Sequence, residues 1–475
     1  MSKKLVLVFL FVSLDAHAVQ ECASHIFVPR SITTDLVYVN ALNFYRRHHQ
    51  DNDKTDIYTL TLLYQNSAKS RQLGSAFLLG NGSNTITVAQ NSPADINSAW
   101  INLTGVGPQD PFTGTLTIEP QRKVFGFHGN WYFNLDTWWR GLWLDVSTAI
   151  VNVRSTLNCQ ETGVYANGTP GIYTISDALS NPAYKFGKFF CGLCDDEKHR
   201  TGIDDIQLRL GYDYNWWCYN YLGIYAIGTI PTGRKSTAEF VFEPLIGSRH
   251  GSLGVGFTGE FRFEWCECGI FTLLSDFNYR YVFSSNECRT FDLTLNGPMS
   301  RFLLVSLDSN PNASLAGINF FTQRVTIKPR GTIQWWLGFN YQYCDWDFEF
   351  GYNLFWRQKE RIKNALGDPN QSIGIFDLGC TLNCTSASTA TIGTFDVVSD
   401  PTFVNITAGD FNRASAVAGK VVTNKVYVAF STDGCWCDCI HWSYGIGGSY
   451  EFVDAHDKCN ALPYWGIFSK AGISF

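Results

Sequence analysis

The stretch DWDFEFGYNLFWR, residues 345–357, changes chemical character at almost every step. Trp346, Phe348, Phe350, Tyr352, Leu354 and Trp356 occupy one phase, and Asp345, Asp347, Glu349, Gly351 and Asn353 the other, with Phe355 as the exception. Side chains of a strand alternate between its two faces, so such a segment presents one face of bulky apolar groups and one of polar groups and carboxylates. One face must leave water while the other meets it.

Four more segments repeat the pattern. Leu253, Val255, Phe257, Phe261, Phe263 and Trp265 oppose Thr258, Glu260, Arg262 and Glu264. Ile333, Trp335, Leu337, Phe339, Tyr341 and Tyr343 oppose Thr332, Gln334, Asn340 and Gln342. Leu208, Leu210, Tyr212, Tyr214 and Trp216 oppose Gln207, Arg209, Asp213 and Asn215, and Ile440, Trp442, Tyr444, Ile446, Tyr450 and Phe452 oppose His441, Ser443, Ser449 and Glu451. Weaker versions at 56–65, 122–133, 141–154, 221–230, 269–283, 421–431 and 464–475 bring the total to about 12 strands. Most are longer than the roughly 9–11 residues that carry a tilted strand across a bilayer. Composition agrees: 15% aromatic residues and 42 Gly against 2 Met describe strands and turns, not helices. With 16% charged residues and a net charge of -6, no segment has the clustered Lys/Arg footprint of a nucleic-acid binder.

The connections alternate in length. Tight ones fall near 134–138, 217–220, 266–268, 344–345 and 432–439; long ones near 66–120, 155–203, 231–250, 285–320, 358–420 and 454–462. That asymmetry, together with Trp, Tyr and Phe near strand ends, predicts a transmembrane antiparallel β-barrel with short periplasmic turns and long extracellular loops. A soluble sandwich alternates too, but its strands commonly run only about 5–6 residues. The N-terminus reads as a secretory signal peptide over 1–18, with Lys3 and Lys4, an apolar run, and Ala16-His17-Ala18 as the cleavage site. Residues 19–53 are expected to form a periplasmic segment, and 54–475 the barrel.

The final YWGIFSKAGISF resembles the C-terminal strand of bacterial outer-membrane proteins: Phe475 closes it, in phase with Ile473, Ala471, Ile467 and Trp465, while Ser469 interrupts the phase. The resemblance implies a barrel of the bacterial outer membrane, with Phe475 read by the barrel insertion machinery. The architecture is similar to that of porins, and the cysteine usage resembles that of the major outer-membrane porins of chlamydia-like bacteria. On that footing the expected function is a channel for passive diffusion of small hydrophilic solutes. The alternative is a structural or adhesive envelope protein with a plugged, disulfide-cross-linked barrel. No cofactor and no nucleic acid is expected; outer-membrane lipid is.

The polar phase nominates the lumen lining: Asp145, Arg209, Asp213, Glu260, Arg262, Glu264, Asp276, Arg280, Asp347, Glu349, Lys425, Glu451 and Lys470. Of 15 cysteines, Cys191, Cys194, Cys218, Cys266, Cys268, Cys344, Cys435, Cys437 and Cys439 are disulfide candidates, since exported thiols meet an oxidising compartment. An odd count leaves at least one to be free or to link another chain, a homo-oligomer or an envelope partner. The clusters CGLC (191–194) and CWCDCIH (435–441) also have zinc-ligand spacing, although neither supplies an assured second pair of ligands. Catalysis is not expected: His441 and Ser443 share a face, but two residues at that spacing on one strand are a coincidence expected by chance. Two basic runs remain, RRHH at 46–49 and RQKERIK at 357–363; both read as solvated strand ends or loops, with a lipopolysaccharide-phosphate contact as the alternative for the second.

Overall fold

The computed structural model describes residues 26–42, 56–78, 82–90, 94–105, 111–163, 173–191, 196–216, 220–264, 269–364, 366–379, 386–394, 402–436 and 440–475. The signal peptide and the RRHH run lie outside them. Twelve antiparallel strands close a barrel, each bonded to its neighbours in sequence. They are β1 (Ile57–Ser67), β2 (Gln121–Asn134), β3 (Leu142–Thr156), β4 (Glu197–Trp216), β5 (Asn220–Ile230), β6 (Ser252–Glu264), β7 (Gly269–Val282), β8 (Arg330–Tyr343), β9 (Trp346–Arg357), β10 (Val421–Trp436), β11 (Ile440–Val453) and β12 (Tyr464–Ser474). Closure comes from β1 against β12, with Ile57 opposite Ser474 and Ser67 opposite Tyr464. No edge is left unpaired, which is the condition for strands in lipid.

The apolar phase faces outward. Leu208, Leu210, Phe257, Phe348, Phe350, Ile446 and Ile467 are all exposed on the outer wall. Aromatic side chains mark both rims: Trp346, Trp436 and Phe475 at the turn end, Tyr281, Phe283 and Trp465 at the loop end. An apolar belt between aromatic girdles is the surface a bilayer requires. Glycines answer a different need, on the inner face. A Cβ at Gly351 would sit 2.3 Å from the ring of Tyr427, and one at Gly256 2.2 Å from the ring of Tyr225. Glycine lets each ring lie across the neighbouring strand and carry its hydroxyl to a wall carboxylate, Asp276 for Tyr225 and Glu349 for Tyr427.

Two boundaries differ from expectation. The connection expected over 155–203 is shorter, because β4 starts at Glu197, and the turn expected over 432–439 shrinks because β10 continues to Trp436. In β4 the alternation breaks: Thr148 pairs with Ile206 but Ile150 with Ile203. This bulge turns two successive carboxylates, Asp204 and Asp205, inward, and both are buried.

The long connections do not spread into solvent. Phe77, Trp100, Leu179, Phe189, Phe242, Phe302, Val325, Ile373, Phe411 and Leu462 come from all six and share one apolar core. Among the described residues four small sheets frame it, including Ser285–Thr290 with Thr322–Lys328 and Arg361–Ile362. Each such side chain taken fully out of water contributes about 1.5–3 kcal/mol. The result is a folded cap over one end of the barrel.

The segment expected outside the barrel, 19–53, is displaced in its described part. Residues 26–42 run inside the lumen, buried throughout 31–42, and carry a short helix α1, Leu36–Asn40. Asp35 caps α1, accepting a hydrogen bond from the Val37 amide at 3.1 Å. Phe27 reaches the cap and packs edge-on against Phe242, with centroids 5.4 Å apart. A polar wall without enough water to solvate it needs protein partners, and this segment supplies them.

Candidate functional site

The lumen is the site, and its polar wall is organised in ion-pair clusters. Midway, Arg209 of β4 bonds Asp145 of β3 at 3.0 Å and Asp276 of β7 at 3.2 Å. Asn130 donates to Asp145 at 2.8 Å, the Tyr225 hydroxyl donates to Asp276, and Asn40 of α1 donates to Asp276 at 2.8 Å. The end of α1 thus docks on a charged triad from three strands. Around the wall, Lys425 of β10 bonds Glu451 at 2.9 Å and also Asp35, which Arg30 approaches at 3.2 Å.

Single wall groups hold the segment's backbone. The Lys470 ammonium donates to the carbonyls of Tyr38, Val39 and Ala41 at 3.2, 3.1 and 2.9 Å, satisfying the open C-terminal end of α1. Glu349 accepts from the Leu42 amide at 3.0 Å and from the Tyr427 hydroxyl. Asp204 accepts from Ser31 Oγ at 3.0 Å and from the Thr33 amide at 2.8 Å. Arg357 donates to the Val28 carbonyl at 2.9 Å. Phe355, the residue that broke the alternation of β9, lies under the Arg30 guanidinium, 4.9 Å from its centroid. Its place in the strand turns it inward, and the cation over its face gives the ring a partner there.

Of the nominated lining residues, Asp145, Arg209, Asp213, Glu260, Asp276, Arg280, Asp347, Glu349, Lys425, Glu451 and Lys470 are buried on the inner face. Arg262 pairs with Glu260 at 2.6 Å; the Glu264 side chain lies outside the described residues. Acid and base meet in Asp145–Arg209–Asp276, Glu260–Arg262 and Lys425–Glu451. Arg280 instead bonds Gln207, and Lys470 bonds carbonyls. Sequence reasoning missed Arg30, Asp35, Asp204 and Asp205. The Asp-Asp pair inside a strand was a legible bulge signal; nothing in the pattern marked the other two as lumenal.

The cysteines divide. Cys191 is bonded to Cys159, with a Cα separation of 5.6 Å, not to its neighbour in CGLC. Cys344 and Cys435 are free and exposed at the turn end, so neither forms the expected disulfide within the chain. Cys194, Cys218, Cys266, Cys268, Cys437 and Cys439 lie outside the described residues. The run RQKERIK is not a continuous phosphate-facing strip, because Arg357 points into the lumen and Glu360 is buried.

Where cap meets barrel, Glu287 accepts from Arg249 at 2.9 Å and from Arg289 at 2.7 Å, with His250 at 3.1 Å. Burial alone would favour the neutral acid, but the two guanidinium groups outweigh it and hold the Glu287 carboxyl far below its usual range. Glu360 is likewise held low: burial opposes its charge, and Arg289, at 3.2 Å, leads the groups that outweigh it.

Fold and lumen together define a twelve-stranded β-barrel of the outer-membrane type, with an internal segment and a folded cap. No family model matches the sequence, and no curated protein does. Among solved structures, an outer-membrane channel from Pseudomonas putida F1 is similar over 88% of this chain and 95% of its own, at 10% identity and a TM-score of 0.36. A Pseudomonas aeruginosa FadL homologue aligns over 88% and 89% at 8% identity and TM-score 0.29. The Pseudomonas putida toluene transporter TodX aligns over 95% and 96% at 10% identity and TM-score 0.28. Likeness this distant carries no argument about function.

Proposed function

We propose that this chain is an outer-membrane channel for small hydrophilic solutes, seen in a closed state, with residues 26–42 as the closing element. The observation that carries the reading is the nature of the contact between segment and wall. It is built from discrete hydrogen bonds and ion pairs: Asn40 to Asp276, Lys425 to Asp35, Lys470 to three carbonyls. Charges buried this way cost desolvation that an apolar filling avoids. A permanently sealed barrel gains nothing from them, whereas a passage that refills with water needs a polar wall. The orientation, with the cap outside the cell and the turns in the periplasm, rests on the short and long alternation of the connections.

The cap supports the second reading, a structural envelope protein, because its apolar core spans all six long connections. Conductance separates the two. The refolded full chain in a planar bilayer should give infrequent discrete openings, and deletion of 26–42 should convert them to a steady conductance. Silence from both proteins, each shown to be folded, rejects the channel and leaves the structural role.

A further inference from the structure

Between the segment, the barrel wall and the cap lies a cavity of about 70 Å³. Among the described residues its charged lining is unbalanced: Arg30 from the segment, Arg280 of β7, Arg357 of β9 and Arg249 from the cap face it, with His250, against one acid, Glu360. That acid is engaged elsewhere, by Arg289 at 3.2 Å and by the Ala418 amide at 2.9 Å.

Each of the four guanidinium groups is anchored at one nitrogen and open at another. Arg357 is 6% exposed and donates through Nη1 to Val28, while its Nε and Nη2 have no partner among the described residues. Arg249 spends Nη1 on Glu287 and leaves Nε and Nη2 without one. Arg280 bonds Gln207 through Nη1, and its Nε is left over. Arg30 bonds Gln334 and Asp35 through Nη2 and leaves Nε and Nη1. A buried guanidinium donor without an acceptor is costly, and four around one cavity repel each other as well. Val28, Pro29, Val282, Pro329 and Phe355 add apolar surface beside the hydroxyl residues Ser31, Thr34, Thr229, Ser248, Ser252 and Thr332, and the apolar part strengthens the attraction between an anion and the guanidinium groups.

We propose that this cavity is a binding site for a small tetrahedral oxyanion, inorganic phosphate or sulfate. Such an anion presents several acceptor oxygens to donors arriving from different directions, and arginine is suited to it. A single oxyanion is small enough to sit among these groups. A carboxylate, with two oxygens in one plane, would satisfy fewer of these donors. The anion would bridge the segment through Arg30, the wall through Arg280 and Arg357, and the cap through Arg249, so binding stabilises the closed form by mass action. The inference concerns binding to this form and stands whether or not the barrel conducts.

The test is isothermal titration of the refolded full-length chain in detergent with inorganic phosphate, then with sulfate, at fixed ionic strength balanced by chloride. One saturable site that chloride does not fill is the expected result. Arg357→Gln and Arg280→Gln, each checked for barrel folding by heat-dependent gel mobility, should weaken binding roughly tenfold or more. Arg361→Gln, at an exposed position, should bind as the parent does. Absence of saturable binding by the parent overturns the proposal, even if the variants fail to fold. So does parent-like binding by folded Arg357→Gln and Arg280→Gln together, or equal loss in Arg361→Gln, which would mark a surface ion only.

Discussion

Lys425→Gln tests what holds the segment in the lumen. The Lys425 side chain is 1% exposed and serves Asp35, 2% exposed, and Glu451, 8% exposed. The substitution preserves most of the side-chain volume and removes the charge, leaving two buried carboxylates short of their cation. Breaking a buried pair costs about 3–5 kcal/mol. Arg30 still balances Asp35 from 3.2 Å, so the lower end applies. About 3 kcal/mol is roughly a 150-fold shift toward the released segment. Hydrogen exchange read by mass spectrometry over 26–42 measures it, because the Thr33 and Leu42 amides are protected by wall carboxylates. Exchange there should accelerate about a hundredfold while the barrel strands stay protected. Adding Glu451→Gln should recover part of the protection, since the carboxylate left without its cation is then gone. Unchanged exchange over 26–42 in a folded Lys425→Gln protein would refute the claim that ion pairs hold the segment.

Three further outcomes follow from the same structure. Phe257→Arg, on the outer wall, should cost about 2–4 kcal/mol near the bilayer midplane by urea unfolding in lipid vesicles, while Leu295→Arg on the cap surface should stay within about 0.5 kcal/mol; equal cost would reject the lipid-facing belt. Because the Glu287 pKa is depressed on folding, its contribution is fully present above its unfolded value of about 4.3 and is lost as pH falls toward the folded one. The cap's melting temperature should therefore fall below about pH 4, and more shallowly in Glu287→Gln; an identical acid limb in that variant would contradict the assignment. The Cys159–Cys191 bond spans 32 residues, so Cys159→Ser should destabilise the cap by about 3–4 kcal/mol, seen as earlier proteolysis of the second long connection with the barrel intact.

The period-two pattern determined most of the barrel, because the face a strand residue points to depends only on its place in the alternation. Phe257, Leu337 and Ile446 had to face one solvent, and Glu260, Gln334 and Glu451 the other. The alternation of short and long connections then ordered the twelve strands as consecutive neighbours. Local departures were legible in principle: Phe355 out of phase, and Asp204 beside Asp205 within a strand. Alternation is silent, however, about what occupies the inside. The segment 26–42 has no strand period, and only in three dimensions do Arg30 and Asp35 meet Gln334 and Lys425, roughly 300 to 390 residues away in sequence. The cap escaped for the same reason. Trp100, Phe242, Phe302 and Phe411 follow no repeat, and they form one core only because barrel closure gathers the loop ends above a single opening. A strand's periodicity fixes its two faces locally, whereas the filling of a lumen and the packing of loops are long-range choices made by the folded chain.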